Sequence, residues 1–404
     1  MLVNPHFQIS LIQDAFWGAG EPYKDDSRID VFKVDFPDEQ IDHVKSLLGA
    51  SQLVPPFEDC TLSIARHSFM KNLSEVMTSF DWKQHQHFLN TFKQYRTEIE
   101  GLLIHFLRIS LPEEKGKDTI PILLLHGFPG SYWDFFKVIP ILTNPVRFGF
   151  DFGVRKPFQF EVIVPSLPGF IFSSKPARIG ITSTDIARIM AKLMERLSVD
   201  RYFVHGTELL GSEVATSLAA LYPNRVRGVH LSNPIVHPKA FSWQVTIKYL
   251  LKSFTHPEVG FFGRSGDALS TSPLGTASYL MSVWSLFSTR DSSVQLNQLF
   301  TLDELATVSY LYYLTETTPH ALRIMNTVIN DAVNLRRQVL VPSAILQSPE
   351  TPWHSSRSIC QHRFLNITRF TEAKKGGVFQ HLQDPNAVAA DIFRFVELIL
   401  MYKS

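Results

Sequence analysis

Three strand-to-loop transitions marked by glycine constrain this chain more than any other feature. The apolar run from Ile120 to Leu125 leads into His126-Gly127-Phe128-Pro129-Gly130, and Tyr202-Phe203-Val204 leads into a turn holding Gly206 and Gly211. Gly376-Gly377 follows the last strand candidate and precedes Val378-Phe379-Gln380-His381. Continuous apolar runs of this length mark strands buried on both faces, and glycine lets the backbone approach other groups closely because it has no Cβ. From Thr119 onward such runs recur at 120–125, 160–164, 202–204, 226–231, 339–345 and 364–370, alternating with amphipathic stretches. That alternation predicts an α/β fold with a mostly parallel central sheet flanked by helices.

Between residues 235 and 338 the strand signals stop, and apolar residues of 276–287 and 301–313 recur at helical spacing, which predicts an inserted helical lid. Residues 1–118 show no βα repeat; Pro55-Pro56 and scattered aromatics predict short helices and irregular connections wrapped on the rest. The expected organisation is therefore an N-terminal wrapping region at 1–118, core at 119–234, lid at 235–338 and the remaining core at 339–404. Lys115-Gly116-Lys117 and Arg264-Ser265-Gly266 read as exposed loop tips.

Composition narrows the partners. A chain of 404 residues, 45% hydrophobic and with a formal net charge of +1, can bury a large core and carries no basic block for nucleic acid or an anionic membrane. A small apolar molecule is the expected partner, with no cofactor; the oligomeric state is left open. Cys60 and Cys360 lie far apart in no metal-ligand spacing, so neither a disulfide framework nor a metal site is expected. No apolar stretch reaches membrane-spanning length and the N-terminus lacks signal-peptide order. The expected location is cytoplasmic, with peripheral contact to the endoplasmic reticulum left open, as is loss of an anchor by truncation.

Each glycine turn suggests a chemical part. Backbone N–H groups of the 126–130 turn can face a developing negative charge, although a tight turn without a ligand role would look the same. The strand, small residues and helix of 202–212 have the order of a nucleophile elbow, in which a strained turn pushes one side chain into a site. Centred between Thr207 and Gly211, the elbow places Leu209 at its apex, which has no attacking atom. Centred on Glu208, it has Gly206 on one side and Leu210 crowding the other. In the third turn, where a loop would carry a water-activating histidine, Val378 cannot accept a proton; His381 follows three residues later and reads more simply as a surface or helix-start residue.

These ordered motifs, together with Phe16-Trp17-Gly18-Ala19-Gly20, Pro55-Pro56-Phe57-Glu58-Asp59, Phe80-Asp81-Trp82-Lys83, Ile99–Phe106, Pro165–Phe170 and Ser272-Pro273-Leu274-Gly275, resemble the microsomal and juvenile-hormone epoxide hydrolase family over nearly the whole chain. The resemblance implies an α/β-hydrolase fold. It also implies an aspartate nucleophile that opens an epoxide to an enzyme ester, a histidine–acid pair that activates water, and lid tyrosines that donate to the epoxide oxygen. Matched residue by residue, the nucleophile position falls on Leu209, the acid on Thr351, the histidine on Val378 and one lid tyrosine on Met325, while the loop for the other tyrosine is shortened around Phe262–Asp267.

The reading these substitutions favour is a catalytically impaired member that binds an apolar epoxide, terpenoid or lipid-like ligand. One alternative is a working hydrolase displaced by one residue, with Glu208 attacking, His381 or His205 as base and Glu350 as orienter. Another is an interaction module without a ligand pocket.

Overall fold

The computed structural model describes residues 15–112, 116–152, 156–236, 269–331 and 334–401. The Arg264–Gly266 tip and the shortened Phe262–Asp267 loop lie outside the described residues. Nine strands form one sheet in the order β1-β2-β3-β5-β4-β6-β7-β8-β9. They are β1 (Asp30–Phe32), β2 (Gln94–Ile99), β3 (Leu102–Ile109), β4 (Asp118–Leu125), β5 (Phe158–Pro165), β6 (Tyr202–Thr207), β7 (Val226–Ser232), β8 (Ser343–Gln347) and β9 (Ile367–Glu372). From β5 through β9 every ladder is parallel, and all six residues of β6 are buried, as a strand covered by helices on both faces requires. This is the α/β-hydrolase fold, with its mostly parallel sheet.

The N-terminal region departs from its expected irregularity. Helices α1 (Asp38–Ala50), α2 (Thr61–Ser79) and α3 (Trp82–Leu89) include one of 19 residues. Three strands continue the sheet antiparallel, β3 pairing with β5 from Phe106↔Pro165 to Ile109↔Val162. β2 and β3 form a hairpin through Glu100 and Gly101, at φ +54° and +76°. Two consecutive positive φ values suit the right-handed twist of a tight hairpin, and the Asp25 carboxylate accepts both turn N–H groups at 2.7 and 2.8 Å. Glu100 is also held by Arg188 through two bonds of 2.7 and 2.8 Å, both side chains buried, which ties this edge to the core.

Between β7 and β8 the described residues form helices and no strand. After α4 (Val138–Thr143), α5 (Ser183–Arg196) and α6 (Glu208–Leu221) come α7 (Pro273–Ser288), α8 (Leu302–Leu314) and α9 (Thr318–Ile329). Local capping sets their starts: Ser272 accepts from Gly275 N–H with Pro273 in the first turn, and Thr301 with Glu304 completes a capping box. Helix α8 packs on α2, where Tyr310 donates to the Met77 carbonyl at 2.6 Å and lies against Phe80 and Trp82. The chain closes with α10 (Arg357–Cys360), α11 (Gln380–Gln383) and α12 (Pro385–Met401). No described helix is long and apolar enough to cross a membrane.

Candidate active site

The junction of β6 and α6 decides what the site contains. Thr207 ends the strand in extended backbone, and Glu208 has φ +58°, a left-handed conformation that costs a residue with a Cβ about 1 kcal/mol or more. Helix α6 starts at Glu208 itself. The apex of the turn is therefore Glu208, and the placement of Leu209 there is corrected: Leu209 is already in the helix and buried among apolar neighbours.

The two glycines do not flank the apex symmetrically, which explains the sequence-level assignment. A Cβ on Gly206 would lie 2.4 Å from the Gly211 carbonyl oxygen, and one on Gly211 would lie 2.3 Å from that of Leu125. Gly211 thus serves the crossing of α6 over the end of β4, one residue later than a symmetric elbow would need it. Leu210 does not obstruct the turn; it is fully buried.

Glu208 points between two glycines of the 126–130 turn. A Cβ on Gly127 would sit 2.4 Å from the Glu208 Cβ, and one on Gly130 would sit 2.4 Å from Oε1 and 2.1 Å from Asp134 Oδ2. No side chain other than hydrogen fits at either place, so these glycines make room for the carboxyl groups. Asp134 is carried by the 3-10 turn Tyr132–Phe135, where its Oδ2 accepts from Ser131 N–H at 2.9 Å. His381 Nε2 lies 3.7 Å from the same oxygen, and His381 Nδ1 lies 3.4 Å from Thr207 Oγ1. Ligand-type atoms of Asp134, Glu208 and His381 all fall within 4.8 Å of one another.

This trio is fully buried, and its polar atoms are underused. Both Glu208 oxygens, Asp134 Oδ1 and His381 Nε2 have no hydrogen-bond partner among the described residues. Burial first, and then the Asp134 charge, push the Glu208 carboxyl well above its ordinary range. The N–H groups of Gly130 and Gly127 act in the opposite direction, favouring the ionised form, but neither oxygen completes a bond of normal geometry with them. Two carboxyls and an imidazole are also of the kind that can hold a divalent cation. A proton on Glu208 relieves the same repulsion.

The other expected residues serve elsewhere. His126 Nε2 accepts from Leu167 N–H at 3.0 Å, which leaves the proton on Nδ1, 2.9 Å from the Gly127 carbonyl. Burial holds this imidazole down at about 4, so it stays neutral and braces the turn. Phe128, joined to Pro129 by a cis peptide bond, packs on Phe170 and Tyr312. The Pro129 carbonyl accepts from Trp284 Nε1 at 3.2 Å and that of Gly130 accepts from Tyr312 Oη at 2.7 Å, so α7 and α8 are fastened to the turn. Of 126–130, it is the Gly127 and Gly130 backbone that meets the carboxyl groups.

Glu350 does not join the trio, and its expected role as orienter is corrected: its Oε2 accepts from Arg290 N–H at 3.0 Å. Thr351 is buried in a loop network, accepting from Gln347 Nε2 at 3.2 Å. Val378 is buried, its N–H donating to the Phe287 carbonyl at 2.7 Å. One helical turn, α11, follows that loop and brings His381 into the interior, so it is at a helix start but not at the surface. His205 is buried as well, with Nδ1 2.9 Å from His230 Nδ1. Met325 is buried in α9.

Sequence reasoning missed Asp134 and Tyr312. Ser131 and Asp134 have capping-box spacing directly after Gly130, a signal that the carboxylate folds back onto the turn. Tyr312 has no such signal; it lies in an apolar helical pattern, and only the docking of α8 brings its hydroxyl to Gly130. Burial, followed by the charges of Glu208 and Asp134, raises this phenol well above its ordinary range.

Comparison with known proteins agrees with this fold. The profile described as epoxide hydrolase N terminus matches residues 29–135, and that of the alpha/beta hydrolase fold matches residues 120–258. Epoxide hydrolase 1 of Sus scrofa is 29% identical, covering 96% of this chain and 93% of its own length. Juvenile hormone epoxide hydrolase 2 of Ctenocephalides felis is 28% identical, covering 97% and 90%. The crystal structure of juvenile hormone epoxide hydrolase from the silkworm Bombyx mori superimposes with a TM-score of 0.82 at 25% identity, covering 97% of this chain and 99% of that one. The chain is similar to epoxide hydrolases along nearly its whole length. Within this epoxide hydrolase homologue the elbow carries a glutamate, and the carboxylate beside the imidazole comes from the turn after β4.

Proposed function

We propose that this chain opens an apolar epoxide to a vicinal diol from a relocated set of groups: Glu208 as nucleophile, His381 as base and Asp134 as the accompanying carboxylate. The observation that carries the reading is Glu208 at the strained apex of the elbow, between Gly127 and Gly130 and gathered with an imidazole and a second carboxyl. In the first step a Glu208 oxygen attacks an epoxide carbon, the ring C–O bond breaks, and the alkoxide takes a proton from a phenol. Tyr312 is the candidate donor, because its hydroxyl sits at Gly130. In the second step water gives a proton to His381 and adds to the Glu208 ester carbonyl. The ester C–O bond then breaks, the alkoxide released takes that proton to leave as diol, and the proton left on the Glu208 carboxyl returns to the phenolate, which restores both groups.

An apolar substrate fits the surroundings. A groove of about 690 Å³ between α2 and α7 is lined in part by Leu62, Phe69, Met70, Met281 and Leu286. Tyr279 also lines it and lies within electrostatic reach of Tyr312.

A second reading, a ligand-sequestering member with impaired chemistry, is favoured by the burial of Glu208, which disfavours the ionised form that attack requires. One experiment separates the two. The protein and its His381→Ala variant are incubated with a terpenoid or trans-disubstituted lipid epoxide, and the peptide containing Glu208 is weighed. An adduct of epoxide mass that accumulates in His381→Ala, with diol formed only by the unsubstituted protein, supports the hydrolase. Retained ligand without adduct or diol supports the binder, and no retained ligand would defeat both.

A further inference from the structure

The trio at the elbow holds more buried polarity than the proposed chemistry uses. Asp134, Glu208 and His381 are 0%, 0% and 1% exposed, yet both Glu208 oxygens, Asp134 Oδ1 and His381 Nε2 have no hydrogen-bond partner among the described residues. No described lysine or arginine pairs with either carboxyl; Lys137, three residues after Asp134, is bound to Glu304 instead. Burial holds the nearby imidazoles of His126 and His205 below their ordinary value, so neither supplies a positive charge at neutral pH. Buried charges are as a rule paired or bound to a metal.

The spacing of these groups suits an ion. His381 Nε2 and Asp134 Oδ2 are 3.7 Å apart, too far for a hydrogen bond, and ligand-type atoms of all three side chains lie within 4.8 Å of one another. Around an ion with bonds of about 2.1 Å, tetrahedral ligands stand about 3.4 Å apart. The three atoms are somewhat wider than this, and small turns of the two carboxyls would close them on the ion. One imidazole, two carboxylates and one remaining position make a zinc-type set, whereas magnesium and calcium take roughly six or more ligands, nearly all oxygen. Outer contacts are in place as well. With Nε2 on the ion the ring proton sits on Nδ1, 3.4 Å from Thr207 Oγ1. Phe135 packs on the same ring at 5.3 Å between centroids, and Ser131 N–H holds Asp134 Oδ2 at 2.9 Å. Spacing along the sequence could not reveal this set, because its members come from the turn after β4, the elbow and α11.

We propose that Glu208, Asp134 and His381 together bind a single first-row divalent cation of the zinc type, and that the bound ion competes with an epoxide for Glu208. A carboxylate whose oxygen is on a metal has no free lone pair directed at an epoxide carbon, so the loaded protein is the inactive one. The competition rests on the reading of Glu208 as nucleophile; the binding does not.

The test uses the full chain, stripped with a chelator and dialysed against cobalt(II), the coloured stand-in for zinc, or against magnesium. The expected result is a single cobalt per chain with the strong visible absorption of a four-coordinate ion, and no uptake of magnesium. Glu208→Gln, which keeps the shape of the side chain, and His381→Ala should each weaken binding by more than the roughly 10–100-fold that loss of an outer partner causes, and Thr207→Val by about that amount. Zinc should raise the urea midpoint of the unsubstituted protein and leave that of Glu208→Gln unchanged. X-ray absorption at the zinc edge of the unsubstituted protein, which needs no variant, should show a single imidazole with oxygen ligands at about 2.0–2.2 Å. Failure to take up cobalt or zinc, binding unaltered in both Glu208→Gln and His381→Ala, or more than one imidazole on the ion would overturn the proposal. Diol formation should fall as zinc is added and return with chelator; zinc bound with diol formation unchanged would overturn the competition. Zinc bound by a chain that forms no diol would support the site and count against the hydrolase reading alone.

Discussion

Replacing Glu208 with glutamine should stabilise the protein, and by an amount that grows with pH. Glu208 is fully buried, with Asp134 beside it and no completed hydrogen bond, so its carboxyl in the folded protein releases its proton well above the ordinary value of 4.5. In the unfolded chain the same group ionises near 4.5. The folded state therefore holds a proton that the unfolded state has released. Relative stability is fully present below the unfolded value and is lost as pH rises toward the folded one. Each pH unit in that window removes about 1.4 kcal/mol.

Glutamine has the same shape, cannot ionise, and offers an N–H to Asp134, so Glu208→Gln should escape that loss. Urea unfolding of both proteins across pH 4.5 to 8 measures the difference. The two should be similar in stability near pH 4.5, and the variant should gain about 1.4 kcal/mol on the unsubstituted protein for the first pH unit above it. Parallel stability curves across the range would refute the argument that this carboxyl is buried without compensation.

Four further outcomes follow from the geometry. Turnover should rise as pH is raised above the ordinary carboxyl value of 4.5, because attack needs the ionised form of Glu208 and burial delays it; a rate that only falls as pH is raised would contradict its role as nucleophile. Leu209→Asp, which restores an aspartate at the family-matched position, should yield no additional diol and should destabilise the fold by burying a charge, by about 3 kcal/mol or more on chemical unfolding. Gly130→Ala should abolish epoxide consumption, since its Cβ would overlap both Asp134 and Glu208; an active alanine variant would show that the carboxyl groups are not held there. Glu213→Gln breaks a buried two-bond pair with Arg363, 2.5 and 2.7 Å, and should cost about 3–5 kcal/mol of unfolding free energy.

Much of the architecture was readable from the chain because it depends on local pattern. Apolar runs such as Ile120–Leu125 are satisfied here as strands buried in the sheet, and the helical spacing of 276–287 and 301–313 matches α7 and α8. The hairpin of β2 and β3 was not recognised, because its turn uses Glu100 in a conformation usually given to glycine or asparagine. That choice makes sense only once Asp25 and Arg188 are in place.

The contents of the site depended on position in space. Sequence alone determined that glycines would bring the end of β4, the elbow and the last loop together, and that the family's aspartate and histidine positions hold Leu209 and Val378. It could not determine which residue sits at the apex, because α6 starts at Glu208 while its close crossing of β4 falls at Gly211. Nor could it show that one turn of helix after Val378 would carry His381 inward to meet Asp134. Tertiary packing decided both, since the direction of a buried side chain is set by the backbone around it and not by its place in an aligned motif.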